Sequence, residues 1–347
     1  MIDTTELRPL GSTRLTVGPL GLGVAPLGNL YEPVSDEEAQ ATLTSAARLG
    51  FSWFDVAPFY GFGLGEARLG RFLRGSASAP RVISTKVGRI LQPTDRPPAH
   101  EQYVEPLSNQ PVFDYSRAGI ERSYRDSLRR LGVDRVQVLL LHDIDRLTHP
   151  HGHRALVRQV LEEAIPMLHQ LKAQGAVDAI GLGINEWDVG YEMLASAELD
   201  CVLLAGRYTL LDTSAFSSGF LDACARRGVA VLAGGVFNSG FLAGGSHYAY
   251  TPADQARIEG RNRLLEICTR HGVRLPDVAL QFTGAHPAIT SMVVGARSPS
   301  EVEAIYAGCH AAIPGELWAE LRASGLIPEE APIPLEAAIS AGSAQPR

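Results

Sequence analysis

Four side chains of the kinds that move protons stand where short apolar runs end: Asp55 and Tyr60 in FDVAPFYG, Lys86 in VISTKVG, and His142 in VLLLHD. A phenol alone is a poor base, since its ordinary pKa is about 10. A neighbouring ammonium stabilises phenolate, and a carboxylate holds that ammonium in place. The set therefore reads as Tyr60 for general acid/base, Lys86 and Asp55 as its tuners, and His142 as the hydrogen-bonding group that orients a substrate oxygen. Such a centre interconverts alcohol and carbonyl without a metal or a covalent intermediate. It needs a hydride carrier, so a nicotinamide must lie beside it. Taken singly, each residue has a structural reading: a solvated lysine, an interior histidine, a rim aromatic, a turn-capping aspartate. Their recurrence at consecutive strand ends favours the functional one.

The elements that must position them alternate regularly. Strand-like runs cover Leu20–Leu27, Trp53–Pro58, Val82–Val87, Val136–Leu141, Ala179–Ile184, Cys201–Gly206, Val229–Ala233 and Ser291–Val294. They are almost continuously apolar, as parallel strands buried on both faces are. Helical signals separate them. Ser35-x-x-Glu38 is a capping box, Ile120, Tyr124, Leu128 and Leu131 share one face that stops at Gly132, and Ser298-Pro299-Ser300-Glu301 opens the last barrel helix. Eight βα units in succession predict an α/β fold of one (β/α)₈ TIM barrel spanning 1–347, with its core over about 15–325. LRPLGSTRLTV reads as an N-terminal hairpin closing the bottom, and the C-terminus as an extra helix and a tail draping the surface beyond Ile327. Gly88–Ser116 has five prolines and no periodicity, so it reads as a functional loop over the mouth. Phe237–Thr251 is a second lid candidate.

Composition narrows the classes. With 347 residues, 45% hydrophobic and 20% charged, the chain can bury a large core. A net charge of -7 without a basic stripe excludes nucleic acid as a partner. MIDTTELRPL lacks the apolar h-region of a signal peptide, and no run is long enough for a membrane helix. Cys201, Cys224, Cys268 and Cys309 form no CxxC and read as reduced, buried thiols of a cytoplasmic protein. The surface helices leave the oligomeric state illegible.

The motifs APLGNLY, FDVAPFYGFGLGE, STKVGR, HDID, LLAGRYTLLD, GGVFNSGFLAGG and VVGARSPSEVE make the chain resemble the aldo-keto reductase superfamily over nearly its whole length. Within it they look most like the aldose 1-dehydrogenase branch, which includes L-fucose and D-threo-aldose dehydrogenases and has pyridoxal 4-dehydrogenase as a close relative. The resemblance assigns Tyr60 as acid/base, Lys86 and Asp55 as tuners and His142 as orienter. It also implies Asn185 as the partner of a nicotinamide carboxamide. The Gln usual after the sixth strand is missing from LLAGRYT, so Arg207, Tyr208 or the backbone must replace it.

Gly61-x-Gly63-x-Gly65 lacks the spacing of a dinucleotide fingerprint and reads as a turn. In a barrel the phosphates instead meet the loops after strands seven and eight. Gly235, Val236 and Asn238 lie in the first of these, Gly295 and Arg297 in the second, with Gly23 and Asp55 alongside. Aligned through GARSPSEVEAI, Glu301 stands where NADP-dependent relatives carry a basic residue, which predicts NAD over NADP. Glu301 could equally serve only its capping box. Asn29, Tyr31, Phe59, Trp187 and Phe237 are mouth-loop candidates for substrate, with Tyr60 and His142. The expected reaction is oxidation of a small sugar or aldehyde, foremost an L-fucose-like aldose taken from cyclic hemiacetal to lactone, with pyridoxal second and general aldehyde or ketone reduction third. Two rival classes remain. A metal hydrolase would draw on His142, Asp143, Asp145 or the string His149, His151, His153, which sits in a Pro/Gly loop. A cofactor-binding regulatory protein would show little turnover.

Overall fold

The computed structural model describes positions 1–75, 82–96, 100 and 102–334. Eight parallel strands close a barrel in chain order: β1 (Leu20–Gly23), β2 (Trp53–Asp55), β3 (Val82–Val87), β4 (Val138–His142), β5 (Ala179–Ile184), β6 (Cys201–Ala205), β7 (Ala230–Gly234) and β8 (Ile289–Gly295). β8 returns to pair with β1, aligning Gly295 with Gly23, and Gly23 aligns with Asp55 of β2. The largest departure from expectation is β1, which stops at Gly23 because a 3-10 turn containing Pro26 takes over at Ala25–Gly28.

The two-residue period of a strand sorts these sequences into two layers. One set of positions packs against the helices. The other faces the barrel axis, where Trp53, Val82, Val138, Leu140 and Leu232 form a separate apolar cluster. Leu10 and Val17 of the hairpin Arg8–Pro9/Thr16–Val17 join that cluster and close the bottom, as the sequence predicts. Trp53 fills the axis so fully that a Cβ on Gly21 would lie 1.9 Å from its Nε1, which donates to Ser291 Oγ at 3.0 Å. Two residues further along each strand the inward positions turn polar: Asp55 after Trp53, Lys86 after Val82 and Ser84, His142 after Val138 and Leu140. Parity and strand direction thus deliver all three to the C-terminal mouth.

Helix ends follow their signals. Ser35 Oγ accepts from Glu38 N at 3.1 Å to start Asp36–Arg48, Gly132 (φ 66°) ends Arg117–Leu131, and Ser298 Oγ accepts from Glu301 N at 3.3 Å to start Pro299–Cys309. An extra helix, Gly315–Ala323, follows. The tail departs from expectation. Ile327, Ala331 and Ile333 are buried, and Arg322 Nη2 donates to Ala331 O at 2.9 Å, because these apolar residues find space in the outer layer. The remainder to Arg347 lies outside the described residues. The presumed irregular loop is partly regular too: Arg89–Pro93 pairs antiparallel with Asn109–Phe113. In the second lid segment His247–Tyr248 pairs with Thr251–Pro252. All four cysteines are free and buried. Among the described residues no helix is long and apolar enough to cross a membrane.

Candidate active site

Lys86 organises the mouth. Its Nζ donates to Asp55 Oδ2 at 2.6 Å, to Tyr60 Oη at 2.9 Å and to Val56 O at 3.1 Å, which occupies all three ammonium protons. Ser84 Oγ donates to the other Asp55 oxygen at 2.6 Å. Room for this lysine comes from Gly183, where a Cβ would stand 3.2 Å from Lys86 Cδ and Cε. Tyr60 arrives from a tight turn over Tyr60–Gly63 in which Gly61 and Phe62 both take left-handed conformations (φ 62° and 55°). Phe62 is buried, and that packing holds the strained turn.

The electrostatics differ from the sequence reading in one respect. Burial pushes the Tyr60 hydroxyl well above its ordinary value, and Asp55 and Asp143 push the same way, with Arg89 opposing. Whatever downward pull Lys86 exerts is outweighed by burial and by these two carboxylates, Asp55 itself lying 2.6 Å from the ammonium. Tyr60 therefore holds its proton at neutral pH and stands ready as a donor. His142 is pushed down to about 3, chiefly by burial, so its imidazole is neutral. Its Nε2 lies 3.4 Å from Asp143 Oδ2, and its Nδ1 is buried without a partner.

Asp145 is buried beneath this layer and accepts from Asn185 N, Asn185 Nδ2 and Glu186 N. Burial, then the Asp143 charge, pushes it up to about 7 from 3.8. An acid raised in the folded state makes the protein bind more protons folded than unfolded between those values. Its contribution is therefore present at low pH and lost as pH rises towards 7. Urea unfolding is expected to show stability falling on the order of 2 kcal/mol from pH 5 to pH 8, with Asp145→Asn removing most of that slope. An unchanged slope would assign the dependence to another group.

Beside Tyr60 opens a cavity of about 520 Å³ whose walls include Phe59, Phe62, Arg89, Tyr103, His142 and Tyr250. Of the sequence-predicted substrate residues, Phe59, Tyr60 and His142 line it and the others do not. Asn29 Oδ1 is occupied, accepting from Val34 N at 3.0 Å and Arg68 Nη1 at 2.9 Å, so Asn29 shapes its own loop. Tyr31 stacks on His247 with centroids 4.2 Å apart, joining the loops after β1 and β7. Trp187 and Phe237 pack against the outer core. Arg89, Tyr103 and Tyr250 are residues the sequence reading missed. The one available signal was Ile90-Leu91 and Val112-Phe113 flanking the Pro-rich stretch, an apolar pairing that implied a ribbon.

The residues expected around a dinucleotide fall into a single arc of the mouth. Asn185 donates its Nδ2 to Asp143 Oδ1 at 3.1 Å and Asp145 Oδ2 at 3.2 Å, leaving its Oδ1 to accept from a carboxamide. Arg207 serves it from behind: Nε donates to Asn185 O at 2.6 Å and Nη1 to Asp212 at 3.1 Å, so Arg207 positions Asn185 and is not itself a free partner. After β7, Gly235 (φ 61°) and Asn238 (φ 47°) turn the loop, and Asn238 Oδ1 is buried without a partner. This orphan oxygen, the turn of backbone and the nearby helix start at Ser298 fit a dinucleotide. Val236 is buried, which leaves only its backbone for such a role. Gly23 and Gly295 pair at the adjoining strand ends. Arg297 is gripped by two carboxylates, Glu32 at 2.6 Å and Glu301 at 2.9 Å, and Glu301 also accepts from Arg297 N at 2.8 Å. Of the histidine string, His149 Nε2 lies 3.1 Å from Tyr115 Oη and His153 Nε2 donates to Ile144 O at 2.9 Å. Among the described residues no group of three His, Cys, Asp or Glu could hold a metal.

Comparison with known proteins gives a consistent result. The model of the Aldo/keto reductase family matches residues 19–325. The chain is 41% identical over 344 residues to a pyridoxal 4-dehydrogenase of Microbacterium luteolum, covering 94% of this chain and 99% of the relative. It is 37% identical over 326 residues to a D-threo-aldose 1-dehydrogenase of a Pseudomonas species, covering 90% and 96%. The fold matches an aldo-keto reductase from Bacillus halodurans in holo form, with a TM-score of 0.71 at 22% identity over 92% of this chain and 96% of that one.

Proposed function

The chain belongs to the aldo/keto reductase family and is an NAD(P)-dependent oxidoreductase, and on that premise we propose that it oxidises the cyclic hemiacetal of an aldose, of L-fucose or D-threo type, to the lactone. The observation that carries this reading is Tyr60 Oη held at 2.9 Å by a fully engaged Lys86 at the wall of the cavity. When bound, an oxidised nicotinamide supplies the hydride acceptor, with Asn185 and the loops after β7 and β8 holding it. The chain's own residues handle the proton. Tyr60 as phenolate takes the proton of the hydroxyl on the reacting carbon and becomes phenol, Lys86 stabilises the phenolate beforehand, and His142, neutral, orients the reacting oxygen. Aromatic faces at Phe59, Tyr103 and Tyr250 suit the apolar face of a sugar ring.

A second reading is pyridoxal, whose cyclic hemiacetal would give 4-pyridoxolactone. The aromatic walls and the first of the two dehydrogenase relatives favour it. A panel of aldoses plus pyridoxal with NAD, followed at the reduced-nicotinamide absorbance band, tests both. Inactivity on every aldose would discard the first reading, and NAD binding without turnover of any substrate would favour a regulatory protein. The four buried free thiols support a reducing, cytoplasmic setting.

NAD is the preferred cofactor in this reading. Glu32 and Glu301 already balance Arg297, so a 2′-phosphate would meet net negative charge. Glu301→Arg is expected to improve kcat/KM for NADP relative to NAD about tenfold, equivalent to ~1.4 kcal/mol. An unchanged ratio would show that the ribose is read elsewhere.

A further inference from the structure

Arg89 is buried against the cavity, and nothing in the proton-transfer set uses it. It follows Gly88 directly after β3 and begins the ribbon over the mouth. Its guanidinium carbon lies 3.8 Å from the ring centroid of Phe59 and 4.5 Å from that of Phe113, and the two rings fix its position. Nη2 donates to Asp143 Oδ2, and the same oxygen lies 3.4 Å from His142 Nε2. Its Nε–H is buried without an acceptor. A desolvated donor in that state is costly, and an entering ligand oxygen offers the guanidinium a partner.

Two features define what that oxygen belongs to. Arg89 and Asp143 form a balanced pair, so the wall carries no net charge and suits a neutral hydroxyl better than a carboxylate or phosphate. Arg89 and His142 straddle a single carboxylate oxygen, a span suited to two neighbouring oxygens of one ligand. Resting on the aldose reading above, we propose that Arg89 is a specificity-determining residue that hydrogen-bonds the hydroxyl on the carbon next to the one oxidised, the C2 hydroxyl of an aldose. An aldehyde without that neighbouring oxygen leaves the guanidinium unanswered, and a site built to bond a hydroxyl discriminates against the analogue that lacks it.

The test compares L-fucose with 2-deoxy-L-fucose under NAD, reading the ratio of their kcat/KM values so that changes in folded fraction or cofactor affinity cancel. The expected wild-type ratio is roughly 10–100 in favour of L-fucose, the size of one hydrogen bond to a charged group. Arg89→Gln is expected to bring it within a few-fold of one. Arg89→Lys keeps the charge beside Asp143 without the planar fork, and is expected to lower the ratio too, so the proposal stays testable if loss of the ion pair unfolds the first variant. A wild-type ratio near one, or variants that retain the wild-type ratio, overturns the assignment while leaving aldose oxidation intact. If another aldose of the panel is the one oxidised, the same ratio is read on that sugar and its 2-deoxy analogue; inactivity on every aldose overturns the aldose reading itself, and this inference with it.

Discussion

Replacing Tyr60 by phenylalanine is expected to lower kcat by about 10²–10⁴-fold while leaving dinucleotide affinity and thermal stability nearly unchanged. Among the described residues the phenol oxygen receives one hydrogen bond, from Lys86 Nζ at 2.9 Å. Lys86 keeps Asp55 and Val56 O when that acceptor goes, so the buried ion pair survives. The ring remains to pack beside His142 and Tyr103. Asn185 and Asn238 make no hydrogen bond to Tyr60, which is why dinucleotide titration should give wild-type affinity. The pH profile supplies a second readout. Burial first, then Asp55 and Asp143, hold the phenol protonated at neutral pH. Oxidation, which needs phenolate to receive a proton, should therefore accelerate as pH rises, whereas carbonyl reduction uses the phenol as found. The residual activity of Tyr60→Phe should lack that alkaline rise. A variant that kept both its rate and its profile would remove Tyr60 from proton transfer.

The barrel and the gathering of Asp55, Lys86 and His142 at its mouth were legible because both follow from local pattern. Short apolar runs separated by capped helices fix the βα alternation, and alternate inward positions carry Asp55, Lys86 and His142 to the same rim. The cavity wall beside Tyr60 was not legible, since its residues arrive through pairings distant in sequence. Tyr103 is placed by Tyr31 N donating to Gln102 O at 2.6 Å and Val104 N to Asn29 O at 3.0 Å. Tyr250 comes from a two-residue strand pair with a left-handed turn, φ 69° at Tyr250 itself. Asn29 misled for a related reason: its polar end looks available until Arg68, a helix away, claims it. The tail was misjudged by composition, because Pro and Ala do not reveal that Ala331 and Ile333 reach the core. Charge balance also escaped the sequence. Lys86 could be named as the phenol's neighbour, but only the folded geometry reveals that burial and two carboxylates outweigh any downward pull from it.

The 2.6 Å contact of Lys86 with Asp55 makes Lys86→Met the most damaging single change expected for folding at this site. Asp55 is 2% exposed and would lose its counter-ion, keeping Ser84 Oγ as its side-chain donor. Breaking a buried pair by removing one partner costs about 3–5 kcal/mol. Urea unfolding of the variant beside wild type at neutral pH measures the loss, and equal stability would mean that Asp55 is not held by Lys86. Adding Asp55→Asn removes the stranded charge, so the double variant should recover most of the lost stability. Turnover should not recover with it, because phenolate still lacks its cationic neighbour and forms only at higher pH. Restored stability without restored catalysis would separate the two roles of the ammonium: anchoring the carboxylate below it and holding the phenol's oxygen above it.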